Sequence, residues 1–212
     1  MRRTALAASL LAGLLSSICA IAASDEPISR LPRLSEHPAD PATAATFDMI
    51  RARGGDLINL HLTLGHAGKI FQARQMLTYA LRFDAVTPRK LRELAIMRTA
   101  SISGSHYELA QHVPIALACG YTQAQIDSLD KWQQAGLFPD KDRALLAYVD
   151  QVVGRNGDVD DAVFAELAKN FTPQEIVELT ITATQYVTTG LLTRSLRIKP
   201  EDDGRRAAPN RC

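Results

Sequence analysis

The feature that most constrains the fold is a helical spacing of apolar residues that continues through much of the chain. From Leu91, apolar residues recur three, four and seven or eight positions apart, at Leu94, Ala95 and Ile102. This spacing keeps them on one face of an α-helix. A similar spacing runs through residues 145–153, and no convincing strand pattern appears. The sequence therefore predicts an all-α fold, a bundle of helices.

Local signals mark where several of the helices begin. Thr87-Pro88 and Thr172-Pro173 each place a capping hydroxyl before a proline at the first helical position, and Glu175 completes a capping box with Thr172. Thr122 and Gln125 form a weaker box of the same kind. Together these patterns predict helices near residues 45–52, 55–65, 69–82, 88–103, 106–119, 123–135, 140–154, 160–169 and 173–196.

The two ends of the chain differ in composition from the helical domain, which is predicted over residues 45–198. Arg2 and Arg3 precede an apolar run with small residues near its end, so residues 1–23 are predicted to be a removable signal peptide. The prolines within residues 24–44 predict an extended N-terminal arm. Residues 199–212 have too little apolar content to repay ordering and are predicted to form a flexible tail.

The export signal determines the expected compartment and charge. It predicts a periplasmic or secreted protein that has no membrane segment once the signal is removed. Loss of Arg2 and Arg3 lowers Lys+Arg from 24 to 22 against 23 Asp+Glu, so the formal charge changes from +1 to −1. A nearly neutral chain with few aromatic residues disfavours a nucleic-acid partner. An oxidising compartment permits Cys119 and Cys212 to pair, but the apolar neighbours of Cys119 favour a buried free thiol.

Ionisable residues are concentrated where one predicted helix ends and the next begins. Glu108 and His112 are four residues apart and share one face of a helix, where they could exchange a proton, and Ser105 begins that face. Ser105 and Glu108 equally fit a capping box, and His112 fits a core histidine bonded to a neighbour. Glu93 fits a salt-bridged helix residue near Arg89. Spacing alone therefore leaves structural and catalytic interpretations open.

The sequence around these residues resembles a known superfamily. Arg-Glu-Leu-Ala-Ile-Met-Arg at residues 92–98, followed by Ser-His-Tyr-Glu-Leu-Ala-Gln-His-Val-Pro at residues 105–114, is similar to the carboxymuconolactone decarboxylase and alkylhydroperoxidase D superfamily. The similarity extends to residues 53–59, 121–132 and 171–180, and so covers roughly residues 50–190. It implies an alkylhydroperoxidase D-like helical bundle that assembles as a homotrimer or homohexamer.

The resemblance also assigns roles to the ionisable residues. In the peroxidase branch, a glutamate, a Cys-x-x-Cys pair and a following histidine form a proton-relay site. Glu93 and His112 occupy the glutamate and histidine positions, whereas Ser105 and Glu108 occupy the positions of the two cysteines. Thiol peroxidase activity is disfavoured, because neither serine nor glutamate can form the disulfide which that chemistry requires.

Proton chemistry, as in the decarboxylase branch, remains compatible with these residues. The resemblance implies a lyase or other proton-transfer enzyme that acts on a small organic acid or lactone without a cofactor. His112 would deliver the proton, Glu93 would orient its ring, and Glu108 would hold it protonated or relay the proton, with Ser105 also at the catalytic site. Tyr107 and His66 are expected to bind the substrate. His66 departs from the family pattern, because Ala67-Gly68 follows it where relatives often have Ser-Pro.

Two other classes of function compete with this hypothesis. Two carboxylates and an imidazole are acceptable ligands for zinc, manganese or iron, although the sequence has no familiar ligand spacing. Alternatively, the chain has lost its thiols and its chemistry and serves as a non-enzymatic ligand-binding or assembly protein.

Overall fold

The computed structural model describes residues 29–207 and Cys212, so the predicted signal peptide lies outside the described residues. Within these residues the chain forms helices and no β-strand, which confirms the all-α prediction. None of the described helices combines the length and hydropathy needed to cross a bilayer. The α-helices are α1 (Pro41–Ala52), α2 (Asn59–Leu64), α3 (Lys69–Tyr79), α4 (Arg89–Ser103), α5 (His106–Ala118), α6 (Gln123–Asp127), α7 (Trp132–Ala135), α8 (Asp140–Gly154), α9 (Asp161–Asn170) and α10 (Pro173–Ser195).

Side-chain caps begin three of these helices. The Thr172–Glu175 and Thr122–Gln125 capping boxes are both present, as predicted. Asp40 caps α1 by accepting a hydrogen bond from the backbone nitrogen of Thr43 at 2.8 Å. The helix therefore begins four residues earlier than predicted and takes in the end of the predicted arm, because a proline is tolerated at the first helical position.

Thr87 does not cap α4, contrary to the prediction from its sequence. Its hydroxyl donates to Glu178 Oε2 on α10 at 2.7 Å, and the backbone nitrogens of Thr87 and Val86 donate to the same carboxylate at 2.9 and 3.1 Å. Partial burial raises the pKa of Glu178, but these hydrogen bonds outweigh it and lower the pKa to about 2. A carboxylate distant in sequence therefore replaces the local cap and fixes the start of α4 against α10.

The centre of the domain is α4, which packs against α5, α8 and α10. Residues 91–100 of α4 are all buried. The large core around this helix includes Leu94, Met97, Leu145, Leu146 and Leu179. A smaller core joins α1 to α3 through Phe47, Ile50, Phe71 and Tyr79. Because α4 is buried on all sides, its charged residues must find partners inside the protein.

A π turn, Ala80–Asp84, continues α3. The backbone nitrogen of Ala85 donates to the oxygen of Ala80, five residues earlier, at 3.1 Å. Arg92 of α4 holds this turn, because its Nη1 donates to the oxygen of Leu81 and its Nε donates to the oxygen of Thr87. Wider turns of this kind are frequent at functional sites.

The segment predicted to be a flexible tail makes specific contacts with the domain in this structure. The Glu201 carboxylate accepts hydrogen bonds from the backbone nitrogen of Asn59 and from the side chains of Tyr107 and Gln111. The backbone nitrogen of Asp56 donates to the oxygen of Arg206, and the backbone nitrogen of Arg206 donates to the Asp56 carboxylate. Polar contacts, which hydrophobic content does not predict, thus join part of the predicted tail to the domain in this structure.

The prediction of a free thiol at Cys119 is wrong in this structure, because Cys119 forms a disulfide with Cys212. Their Cα atoms are 4.8 Å apart, and the bond closes a sequence separation of 93 residues. After α10, Glu201 contacts Tyr107 and Gln111 of α5, and Cys212 is bonded to Cys119 at the end of that helix.

Candidate active site

A small cavity of about 60 Å³ lies between α3, the π turn, α4, α5 and α10. Its walls carry ionisable side chains from several of these elements, including Arg74, Arg82, Glu93, Glu108, His112 and Tyr186. A space of this size admits a few water molecules or a small ligand. Ionisable groups that converge on an internal cavity are typical of active sites.

Glu93, His112 and Glu108 form a continuous buried chain in this cavity. Glu93 Oε2 lies 2.7 Å from His112 Nδ1, and Glu108 Oε2 lies 3.6 Å from the other ring nitrogen, Nε2. Arg89 extends the chain, because its Nε donates to Glu93 Oε1 at 2.6 Å. The two carboxylates therefore flank the imidazole. Helix α4 supplies Arg89 and Glu93, and α5 supplies Glu108 and His112.

Glu93 is held as an anion. Burial would raise its pKa, but the His112 imidazole and the Arg89 guanidinium outweigh burial and lower the pKa to about 2. An ionised carboxylate can only accept a hydrogen bond, so His112 Nδ1 must be the donor. Glu93 thereby selects the neutral tautomer of His112 that carries its proton on Nδ1, so Nε2, which faces Glu108, is free to accept a proton.

Glu108 has the opposite electrostatic character. Burial raises its pKa, and the nearby charges of His112, Arg74 and Arg82 counter this rise only in part. A raised pKa favours the protonated carboxyl group, which can donate a proton. One imidazole therefore lies between an anionic acceptor and a carboxyl group that tends to hold a proton.

Aromatic packing fixes the ring of His112. The ring of Tyr186, on α10, meets it edge to face, with centroids 4.9 Å apart and an interplanar angle of 89°. Such pairs restrict the orientation of both rings. The imidazole is thus held by the hydrogen bond from Nδ1 to Glu93 and by the edge-to-face contact with the Tyr186 ring.

The structure brings together Glu93, Glu108, His112 and Tyr107 of the predicted site residues, and all four line the cavity. The hydroxyl of Tyr107 donates to Glu201 Oε1 at 3.1 Å, so it is already engaged. Ala207 lines the cavity as well, so the C-terminal segment contributes to its wall.

Ser105 and His66 lie away from the cavity. The Ser105 hydroxyl makes no capping hydrogen bond, so the capping box expected with Glu108 does not form. Ser105 instead faces α10. A Cβ atom added at Gly190 of that helix would lie 3.2 Å from the Cβ of Ser105. His66 is exposed, and its Nε2 lies 2.8 Å from the backbone oxygen of Pro32. The arrangement therefore does not support a role at the cavity for either residue.

Several cavity residues were missed in the sequence. Arg74, Arg82, Gln185 and Tyr186 come from α3, the π turn and α10, far from the α4–α5 segment in sequence. His61 is also at the cavity, where burial and the charges of Arg74 and Arg82 lower its pKa to about 3 and keep it neutral. No local pattern marks these residues, because they reach the site only through packing.

A metal-binding arrangement is not found in residues 29–207 and 212. No group of three or more His, Cys, Asp or Glu side chains there is placed to hold a metal ion. Cys119 has its sulfur in the disulfide and is not among the residues that line the cavity.

Known structures share this architecture. An uncharacterized peroxidase-related protein from Silicibacter sp. TM1040 has a TM-score of 0.73 and 14% identity, over 86% of this chain and 96% of that chain. The alkylhydroperoxidase AhpD core from Ralstonia eutropha JMP134 has a TM-score of 0.72 and 21% identity, over 84% and 95%. The debrominase Bmp8 has a TM-score of 0.67 and 19% identity, over 82% and 92%. At these identities the structures show a shared fold.

The sequence itself matches one family model. Residues 69–151 match the carboxymuconolactone decarboxylase family, whereas no curated protein sequence matches the chain significantly. The matched region contains α4 and α5, the helices that carry Glu93, Glu108 and His112. Residues 69–151 are thus similar to the carboxymuconolactone decarboxylase family, and the chain shares its fold with alkylhydroperoxidase D-like structures.

Proposed function

We propose that the protein is a proton-transfer enzyme, a decarboxylase-type lyase or a related enzyme, acting on a small organic acid or lactone. The observation that carries this proposal is the buried chain from Arg89 through Glu93 and His112 to Glu108, beside an internal cavity. A histidine with a selected tautomer, next to a carboxyl group that holds a proton, is suited to general acid–base catalysis.

The roles of the three residues follow from their charges. Glu93 is the anion that orients His112 and stabilises the imidazolium. His112 Nε2 gives or takes the proton at the substrate carbon, and Glu108 resupplies that nitrogen. Glu93 is a positioning residue in this scheme, whereas His112 is the catalytic acid or base.

A decarboxylation proceeds through this relay as follows. The bond between the substrate α-carbon and its carboxylate breaks, carbon dioxide leaves, and the electron pair remains on the α-carbon as an enolate. Glu108 donates its proton to His112 Nε2, the resulting imidazolium delivers that proton to the carbon, and the Glu108 carboxylate then takes up a proton from solvent. Arg74 and Arg82 supply positive charge in the same cavity, which stabilises an enolate.

The test combines binding with isotope exchange. Lactones, hydroxy acids and aromatic acids are screened by thermal shift, and each stabilising compound is incubated with protein in deuterium oxide. We expect deuterium at the α-carbon, or release of carbon dioxide, by NMR. In His112→Ala the rate should fall about a hundred- to ten-thousand-fold. His106→Ala, an exposed histidine of the same helix, is the matched control and should keep the rate.

Two results would contradict the proposal. One is a folded His112→Ala protein that exchanges deuterium as fast as the wild type. The other is tight binding of screened compounds with no proton exchange at all, which would favour the non-enzymatic ligand-binding protein instead.

We also propose that the protein is exported to the periplasm or secreted. The N-terminal sequence supports this, and so does the Cys119–Cys212 disulfide, since disulfides persist mainly in oxidising compartments. Fractionation of expressing cells, followed by mass determination of the intact protein, tests it. We expect a mass lacking about the first 23 residues and no free thiol; an uncut cytosolic protein would contradict the proposal.

We further propose that the protein assembles as a homotrimer or homohexamer, as the superfamily resemblance implies. Exposed apolar residues on α10 support this, since Val177, Ile181 and Leu191 are 57%, 38% and 55% exposed. Light scattering on the purified protein should give about three or six times the chain mass. A monomer at micromolar concentration would contradict it.

A further inference from the structure

Two hydrogen-bond donors in the cavity wall are buried without an acceptor. Arg74 Nε and Gln185 Nε2 have no hydrogen-bond partner among the residues the structure describes. Buried donors are almost always paired, because leaving them unpaired forfeits their hydration. Both side chains line the same cavity as His112, so the cavity presents donors that call for an acceptor from a ligand.

A contact with helix α10 links Arg74 to the turn that carries Gln185. Arg74 Nη2 donates to the hydroxyl of Thr189 at 2.7 Å, and that hydroxyl donates to the backbone oxygen of Gln185 at 2.8 Å. The guanidinium is therefore fixed against the helical turn that carries Gln185. Its Nε–H remains available, with its position set by a contact outside the His112 relay.

The charges around the cavity indicate that the missing acceptor is an anion. Arg89 is neutralised by Glu93, and Arg92 points to backbone oxygens. Within residues 29–207 and 212, no carboxylate lies within ion-pair distance of Arg74 or Arg82. Both cations act on the Glu108 carboxyl through charge without forming an ion pair, and burial raises the pKa of Glu108, so Arg74 and Arg82 face the cavity without an ion-paired anion.

We propose that Arg74 and Gln185 are specificity-determining residues that grip a carboxylate of the ligand, with Arg82 adding positive charge. The Nε–H of Arg74 and the amide of Gln185 donate to the carboxylate oxygens. The inference rests on the proposed function only for the position of the reacting carbon near His112. Binding of the carboxylate does not require catalysis and is measured with compounds that need not react.

Isosteric pairs of probes isolate the contribution of the charge. Glycolate is compared with glycolamide, and benzoate with benzamide, by isothermal titration calorimetry near neutral pH. We expect at least one acid to bind about tenfold or more tightly than its amide, and this preference should weaken as salt is added. If neither acid binds more tightly than its amide, the proposal is overturned.

Variants assign the preference to the named residues. Arg74→Met should raise the Kd of the acid about tenfold or more while the Kd of the amide changes less than about twofold. Gln185→Met should weaken the acid about threefold to tenfold. Arg197→Gln, an exposed arginine of similar charge, is the control and should leave both values unchanged. An unchanged acid preference in a folded Arg74→Met protein overturns the assignment.

Two further proteins keep the result interpretable. If Arg74→Met does not fold, Arg74→Lys keeps the charge but lacks the Nε–H donor and should weaken the acid at least about threefold. An unchanged Kd in Arg74→Lys contradicts the proposal. His112→Ala should retain the preference for the acid, so a failure of the catalytic proposal is distinguished from a failure of the anchor.

Discussion

At the scale of single residues, the site depends on two buried carboxylates that differ in their partners. Glu93 has a guanidinium and an imidazole within hydrogen-bond distance, at 2.6 and 2.7 Å. Glu108 has the imidazole at 3.6 Å and no closer cation. Both groups are buried, so their partners decide the outcome: burial raises the pKa of Glu108, whereas the close cations of Glu93 outweigh burial and lower its pKa.

Removal of the Glu93 charge should destabilise the protein strongly. In Glu93→Gln the partly buried Arg89 guanidinium loses its ionic partner, the fully buried Glu93 carboxylate, and we expect a loss of about 3–5 kcal/mol in the free energy of unfolding near neutral pH. Urea unfolding measures it. Glu166→Gln, in an exposed pair with Lys169, is the control and should cost less than about 1 kcal/mol. A Glu93→Gln loss as small as this control would refute a structural role for the buried pair.

The two carboxylates should have opposite effects on the pH dependence of stability. The pKa of Glu108 is raised above its ordinary value of 4.5, so above that pH the folded state keeps a proton which the unfolded state releases. Ionisation of Glu108 therefore lowers stability as pH rises, and the stability of Glu108→Gln relative to wild type should increase from about pH 4 upward.

Glu93 provides the comparison. Its pKa is lowered to about 2, so its stabilisation is complete above the ordinary value of 4.5 and is lost as pH falls towards 2. The deficit of Glu93→Gln should therefore shrink as the solution is acidified. Urea unfolding across this range gives both trends, and trends of the same sign would show that the charge assignments are wrong.

At the scale of helices, the sequence predicts those helix starts that are determined by contacts between residues close in the chain. The Thr122 and Thr172 capping boxes form because donor and acceptor lie three residues apart. The Thr87 cap fails because the carboxylate of Glu178, 91 residues away, takes its hydroxyl. Likewise, α4 and α5 were predicted well, whereas Arg74 and Gln185 could not be, since only packing of α3 and α10 brings them to His112.

The Glu178 contact should control the position of α4. Glu178→Ala removes three hydrogen bonds to Val86 and Thr87, so we expect a loss of about 2–3 kcal/mol and weaker ligand binding, because the start of α4 can shift Glu93. Glu175→Ala, at the capping box of the same helix, should cost about 1 kcal/mol and leave binding unchanged. Equal effects of both variants on ligand affinity would contradict this view.

At the scale of the whole molecule, the disulfide and the C-terminal segment join parts of the chain that the sequence treats as independent. Composition predicts disorder after residue 198, because it counts apolar side chains and not hydrogen bonds such as those of Glu201. The pairing of Cys119 with Cys212 depends on the path of that segment, so the cysteine content alone left it undecided.

The disulfide should contribute substantially to stability. Because it closes a separation of 93 residues, loop entropy predicts that Cys212→Ser lowers the free energy of unfolding by about 4 kcal/mol. Guanidinium unfolding of the oxidised wild type and the variant measures the difference, and reduced wild type is the control that should match the variant. A difference below about 1 kcal/mol would mean that Glu201 and Arg206 hold the segment without the covalent bond.

The position of the cavity wall depends on the number of residues in the π turn. A substitution changes one side chain but leaves that number unchanged. Removal of one residue from Ala80–Asp84 would let α3 continue as an ordinary helix and would rotate the flanking residues by about 100° relative to each other. The carbonyl of Leu81 would turn away from Arg92, and Arg82 would change its position relative to the cavity. A single-codon deletion at this point is thus a direct route to a different ligand preference in the same scaffold.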